Sequence, residues 1–310
     1  NKDKIERINN LVKHRGPDGC GYFFKKNLAL AHRRLSIIDL SERANQPMSY
    51  EDNYTIVFNG EIYNYIELKK DLLKDGYKFL TSSDTEVILA SYKKWGKSCV
   101  KKFNGMWSFA IYDKVKNIIF LSRDRFGIKP LYYIKRKDEF IFGSEIKQLL
   151  KAENKNYVNP KVLIQYVNGY EENSNETFFQ NILKLKPGNN MIFDLKTNSY
   201  LTKPYYFIKP KKNNFFHLNI ESKVLKTLKD SIKLRMRSDV KVGSCLSGGI
   251  DSSMIVSVAS KFASRYNEKL IAIHAKSVEN DTDESEYAKL FEKEVNLYFT
   301  EPSINEISDL

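Results

Sequence analysis

The chain has 310 residues, 42% of them hydrophobic and 29% charged, a balance that fits about two soluble globular domains and excludes a disordered or fibrous chain. No apolar run is long enough to span a bilayer, and the first residues carry neither a signal-peptide nor a transit-peptide pattern. The net charge of +13 rests on dispersed lysines, with no arginine-rich arm and no aromatic–basic RNA signature, so nucleic acid is not the expected partner.

Residues 5–12 form a short amphipathic segment that stops at His14-Arg15-Gly16-Pro17-Asp18-Gly19, a loop by its glycine and proline chemistry. Strands are predicted at 21–24, 28–33 and 54–58, the last running straight into Asn59-Gly60-Glu61. Asn64 with Glu67, and Ser83 with Glu86, have capping-box spacing. A helix follows each: Tyr65, Leu68 and Leu72 share a face until Gly76, and Ile88, Tyr92 and Trp95 share one until Gly96. The period then changes to two, which predicts consecutive strands at 106–112, 117–122, 131–134 and 139–142. Helices are predicted at 145–150 and 160–167, and a strand at 190–193 after the turn Lys186-Pro187-Gly188. Groups of strands alternating with groups of helices make this first part layered α+β.

Residues 205–215 read as a linker, with Pro204 and Pro210, several lysines and paired asparagines but no period. A helix at 220–237, a strand at 240–246, a helix at 251–263 and a strand at 270–275 follow. Strand, helix, strand is the start of a parallel α/β sheet.

The turn between the 240–246 strand and its helix is Ser247-Gly248-Gly249. Paired glycines favour a sharp turn, and bare N–H groups at the helix N-terminus favour an anion. Ser247, Ser252 and Ser253 can add hydroxyl donors. Asp251 repels a phosphate unless it caps the helix or helps to hold a metal against the phosphates. No lysine follows the glycines, so this is not a Walker loop. The stretch Leu246-Ser247-Gly248-Gly249-Ile250-Asp251-Ser252 resembles the pyrophosphate loop of ATP pyrophosphatases, which split ATP into AMP and pyrophosphate.

Five clusters precede it: His14–Gly19, Ala31-His32-Arg33-Arg34-Leu35-Ser36-Ile37, Phe58-Asn59-Gly60-Glu61-Ile62-Tyr63-Asn64, Ser83-Asp84-Thr85-Glu86, and Arg123-Asp124-Arg125-Phe126-Gly127-Ile128-Lys129-Pro130-Leu131. They match the class II glutamine amidotransferase domain, and the order of all six resembles the glutamine-hydrolysing asparagine synthetases along nearly the entire chain. The resemblance implies that Arg34 takes the α-carboxylate of glutamine by a two-pronged hydrogen bond and that Glu61 and Asp84 take its α-ammonium. It also implies an oxyanion hole made by the Asn59 side chain and the Gly60 N–H. Taken singly, each has a plainer reading: Arg34 pairs with a surface carboxylate, Asn59-Gly60 is a tight turn, and Asp84 caps a helix.

The family's nucleophile is a cysteine at the mature N-terminus, with its own amine as base. Cys20, Cys99 and Cys245 have no free amine and no metal or disulfide spacing. The 310-residue chain is therefore expected to be inactive as a glutaminase and cut at both ends, and scattered thiols point to a reducing cytoplasm.

The resemblance implies an αββα N-terminal-nucleophile hydrolase sandwich over residues 1–207, a linker at 208–214, and the start of an α/β parallel-sheet ATP-pyrophosphatase domain over 215–310. It implies a ligase that uses glutamine, ATP and aspartate, with Mg2+ screening the triphosphate and Asp251 as its contact. A homodimer stays open. So do a sugar-acid amidotransferase, a β-lactam-synthetase-like ligase with a silent glutaminase domain, and a relic that binds nucleotide or glutamine without turnover.

Overall fold

Strands apolar on both faces build the first part of the chain. The computed structural model describes residues 2–152, 157–169, 175–209, 219–277 and 283–301, and the chain divides into two units, Asn1–Lys211 and Lys212–Leu310. The first unit runs α1 (Lys2–Asn10), β1 (Gly19–Lys25), β2 (Leu28–Arg34), β3 (Met48–Tyr50), β4 (Tyr54–Ile62), α2 (Tyr65–Lys74), α3 (Asp84–Trp95), β5 (Gly105–Asp113) and β6 (Ile118–Arg123). It continues with β7 (Tyr132–Lys135), β8 (Phe140–Gly143), α4 (Ile146–Ala152), α5 (Pro160–Val167), β9 (Leu183–Lys184), β10 (Asn189–Asp194) and β11 (Ser199–Pro204).

Six strands form one antiparallel sheet in the order β11-β10-β6-β5-β4-β3. Alternation along β5 decides which layer each residue joins. Trp107, Phe109 and Ile111 pack with Leu68 and Leu72 of α2 and Val87 and Ile88 of α3. Ala110 and Tyr112 pack on the other face with Leu30, Leu131, Tyr133 and Phe193. The facing layer consists of the hairpin β1-β2 and the three-stranded sheet β8-β7-β9. Leu149 of α4 closes over Ile134 of β7 and Ile182. The result is the expected αββα sandwich. Trp107 is fully buried and its indole N–H donates to Ser122 Oγ over 3.0 Å, so its burial strands no polar group.

Local details depart from the sequence reading. Asn59-Gly60-Glu61 is not a turn but the end of β4, which extends to Ile62. Asn64 does not cap α2; its side chain donates to Lys102 O at 2.9 Å and accepts from Asn104 N at 2.8 Å. Ser83 does cap α3, accepting from Thr85 N at 3.1 Å, but Glu86 turns to the N–H groups of Leu80 and Thr81 instead of closing a box. Three strands of the first unit, β3, β9 and β11, were not predicted; two or three residues are too few for a period, and all of β11 is exposed. Tyr205, read as the start of a linker, belongs to the first unit: its ring stacks on Trp107 and its hydroxyl donates to Arg123 O at 2.8 Å. Residues 210–215 of that linker lie outside the described residues.

The second unit contains α6 (Ile220–Arg235), β12 (Gly243–Cys245), α7 (Ile250–Ala263), β13 (Leu270–Ala275), α8 (Ser285–Lys289) and β14 (Val295–Thr300). Its three strands are parallel, in the order β12-β13-β14. Val256, Val258 and Ala259 of α7 pack on Leu270 and Ala272 of β13. The strand predicted at 240–246 is shorter, because β13 pairs only with Gly243, Ser244 and Cys245. Among the described residues no helix is long and apolar enough to cross a membrane.

Candidate active site

The outer edge of β4 sets the geometry of the first unit's site. Trp107, opposite Gly60, accepts at its carbonyl from Asp124 N at 2.8 Å and donates its N–H to Asp124 Oδ2 at 3.2 Å. In an antiparallel ladder this leaves the polar groups of Gly60 pointing away from β5. The neighbours agree. Phe58 N donates to Gln46 Oε1 at 2.7 Å, Phe58 O accepts from His32 Nε2 at 2.9 Å, and Ile62 N donates to Asp84 Oδ2 at 2.9 Å. The Gly60 N–H lies between two engaged donors, and no side-chain acceptor among the described residues meets it. Only glycine fits there: φ is +153°, and a Cβ would stand 2.1 Å from Met106 O. Asn59 lies beside it, its Nδ2 donating to Ser144 Oγ at 3.4 Å.

Arg34 ends β2 and is 7% exposed. Its Nη1 donates to Ser41 O at 2.8 Å and to Asn45 Oδ1 at 2.9 Å, and its Nη2 donates to Asp39 O. That leaves Nε–H and one Nη2–H without an acceptor among the described residues. Two free guanidinium donors can meet a carboxylate.

Glu61 and Asp84 form a buried acidic pair, 8% and 4% exposed. Glu61 Oε2 has no hydrogen-bond partner. Burial pushes both carboxyls up, Glu61 to about 8 and Asp84 to about 6. The Asp84 charge raises Glu61 further, while Lys129 pulls it down. Such a pair loses its protons in two coupled steps. Burial also lowers Lys129, and the Arg15 charge adds to this. His32 is held near 4 by burial, so its ring is neutral at pH 7.

Arg34, Asn59, Gly60, Glu61 and Asp84 all line one cavity of about 1170 Å3, together with Lys129, Ser144 and Gln148. Gln148 Oε1 accepts from Ser144 N at 3.0 Å, which fixes the residue that Asn59 leans on. None of the three cysteines lines this cavity. Cys99 is fully buried and its thiol is pushed up by burial.

The second group of predicted residues lies in the second unit, on the turn from β12 to α7. Leu246 is buried, while Ser247 and Asp251 are exposed. Gly248 has φ +99°, and a Cβ there would stand 2.6 Å from Glu284 O. Ser252 Oγ accepts from Ser247 N at 3.2 Å and donates to Gly249 O at 3.1 Å, tying the turn to the helix. Ser253 Oγ donates to Gly248 O at 3.3 Å. The N–H groups of Gly248, Ile250, Asp251 and Ser252 meet no protein acceptor among the described residues. Free donors at the start of a 14-residue helix fit a phosphate. Asp251 does not cap the helix; the cap is Gly249, with no side-chain bond. No cluster of three acidic, His or Cys side chains able to hold a metal occurs among the described residues, so a cation here needs phosphate oxygens as well as Asp251.

Sequence reading missed three residues. Ser144 touches Asn59 through the fold rather than along the chain. Lys129 stood inside a recognised cluster without a role. His274 is a buried polar residue at an inward position of the apolar strand β13, and that break in the pattern was the available signal.

The glutamine amidotransferase domain model matches residues 1–206, and the asparagine synthase model matches residues 223–306. The chain is 43% identical over 267 residues to asparagine synthetase [glutamine-hydrolyzing] 1 of Bacillus subtilis, covering 84% of this chain and 41% of that protein. A Methanocaldococcus jannaschii relative is 40% identical over 341 residues, covering 99% of this chain and 64% of its own length. Amidase chry2 of Gibberella zeae is 32% identical over 267 residues, covering 83% of this chain and 39% of its own. The chain thus spans 41% and 64% of the first two relatives. With its model matched over residues 1–206, and the asparagine synthase model matched over 223–306 of the second unit, the chain belongs to the glutamine amidotransferase domain family.

Proposed function

We propose that the whole protein is a glutamine-dependent asparagine synthetase. The cavity of the first unit binds glutamine: Arg34 takes the α-carboxylate on its free donors, and Glu61 and Asp84 take the α-ammonium. Asn59 and the Gly60 N–H then hold the oxyanion as the side-chain amide is hydrolysed to glutamate and ammonia. The observation that carries this reading is the Gly60 N–H, unclaimed by any side chain between the engaged N–H groups of Phe58 and Ile62, on a residue that lines the same cavity as Arg34. One such donor contributes about 3 kcal/mol to the transition state.

The turn Leu246-Ser247-Gly248-Gly249 with Asp251 and Ser252 binds ATP through its free N–H groups. Magnesium bound with the triphosphate would neutralise its charge, with Asp251 as the protein contact. A carboxylate oxygen of aspartate attacks the α-phosphorus and pyrophosphate leaves. Ammonia then adds to the acyl carbon and AMP leaves, giving asparagine. Three free cysteines fit a reducing compartment, and we place the protein in the cytoplasm.

The test is to supply the whole protein with amide-15N glutamine, aspartate and MgATP. The expected products are 15N-asparagine, glutamate, AMP and pyrophosphate in equal amounts. Glutamate without AMP, or AMP without label in asparagine, rejects the proposal.

A further inference from the structure

The turn in the second unit is braced from behind by one residue. His274 sits on the inward face of β13, 2% exposed, with its ring edge-on to Phe299 at 5.5 Å. Its Nδ1–H donates to Leu246 O over 2.7 Å; a carbonyl only accepts, so the proton is on that nitrogen. Its Nε2 lies 3.0 Å from Ser285 Oγ. Ser285 Oγ in turn donates to Asp283 Oδ1 at 2.6 Å, and this carboxylate oxygen is 3.6 Å from Nε2. Leu246 N also donates to β13, to Ile273 O at 2.8 Å. Both polar groups of the residue before the turn are therefore fixed by β13. One step further along, the Glu284 backbone packs against Gly248 so closely that no Cβ would fit. The residues 283–285 thus meet the turn twice, once directly and once through the imidazole.

We infer that His274 is a positioning residue for the nucleotide turn, holding the Leu246 carbonyl so that the free N–H groups of Gly248, Ile250, Asp251 and Ser252 converge on one phosphate site. The inference rests on the reading of this turn as the ATP site. An apolar residue would fill the same space on β13 but leave the buried carbonyl without its donor and the turn free to rotate.

Three variants of the whole protein separate the possible roles. In His274→Asn the amide nitrogen stands near the place of Nδ1 and keeps the bond to Leu246 O. In His274→Gln the longer side chain reaches towards Ser285 and gives up Leu246. His274→Phe keeps the packing on Phe299 and loses both. The KM for ATP in AMP formation is expected to rise about tenfold in His274→Phe and His274→Gln, the loss of one buried hydrogen bond. The His274→Asn variant should stay within about threefold of the parent. Glutamine hydrolysis serves as the folding control and should not change. An unchanged KM for ATP in His274→Gln, or an equal rise in His274→Asn and His274→Gln, overturns the inference, and these two decide it if His274→Phe does not fold. A parent protein that shows no ATP binding in equilibrium dialysis rejects the nucleotide reading itself, which is a different failure.

Discussion

Ile62 N–H donates to Asp84 Oδ2 over 2.9 Å, joining the last residue of β4 to the first residue of α3. The bond fixes the carboxylate beside Glu61, and its other oxygen, Oδ1, accepts from Ser83 Oγ at 3.5 Å. Asp84→Asn keeps an acceptor for Ile62 but removes the charge, whereas Asp84→Ala removes both. We expect Asp84→Asn to raise the glutamine KM at least tenfold, with a thermal midpoint near that of the parent. Asp84→Ala should also lose about 1–3 kcal/mol of stability, since it strands a buried N–H. Equal melting curves for the two variants would reject this division.

The acidic pair also predicts a dependence on pH. Both folded values, about 8 for Glu61 and about 6 for Asp84, lie above the ordinary 4.5 and 3.8. Between those limits the folded protein binds more protons than the unfolded one. The contribution of the pair to stability is therefore complete below about pH 4 and is lost as pH rises through 6 and then 8. Urea unfolding of the parent and of Glu61→Gln at pH 5 and pH 8.5 measures it. Glu61→Gln should gain on the parent as pH rises, and parallel profiles would contradict the shift.

Glutamine binding should expel a proton from the same pair. An ammonium beside the two carboxyls favours their ionised form, so affinity should rise from pH 6 to pH 8. Calorimetry near pH 7 in two buffers of different ionisation enthalpy reads the released proton. Proton uptake on binding would place the ammonium elsewhere.

Arg34→Ala should raise the glutamine requirement steeply and leave ammonia-dependent synthesis much less affected, because free ammonia bypasses the cavity. Arg34→Lys should rescue little, since an ammonium has no two-donor edge. Equal losses with both nitrogen donors would indicate a folding defect.

Asp251→Ala in the whole protein should abolish AMP and pyrophosphate formation and spare glutamine hydrolysis. Asp251 is exposed, so its removal costs the fold little. Normal AMP formation by the variant would refute its place in the ATP site.

The sandwich was legible because β5 and β6 carry apolar residues on both faces over long runs. The site was legible only in part. Arg34, Asn59, Gly60, Glu61 and Asp84 stand in clusters with a recognisable order, but the clusters do not tell which backbone groups remain free. Asn59-Gly60, a turn dipeptide by itself, is carried in a strand because Gly105–Asp113 pairs with it residue by residue. Ser144 and His274 act through contacts separated by 85 and 28 residues in the chain, beyond the reach of any local period. The cap at Asn64 failed for a related reason: a distant loop offered its amide better partners than the helix did.

Trp107, fully buried and directly opposite Gly60, gives the site an optical reporter of its own. The chain has two tryptophans. The other, Trp95, is partly exposed between the ammonium groups of Lys94 and Lys102, each 4.7 Å from its ring. In a Trp95→Phe background all indole fluorescence would come from a residue whose backbone is bonded to Asp124 and whose ring lies under Tyr205 and Arg125. Its emission would follow the strand that carries Asn59 and Gly60, so ligand titrations of the glutamine cavity could be read without a label or a coupled assay.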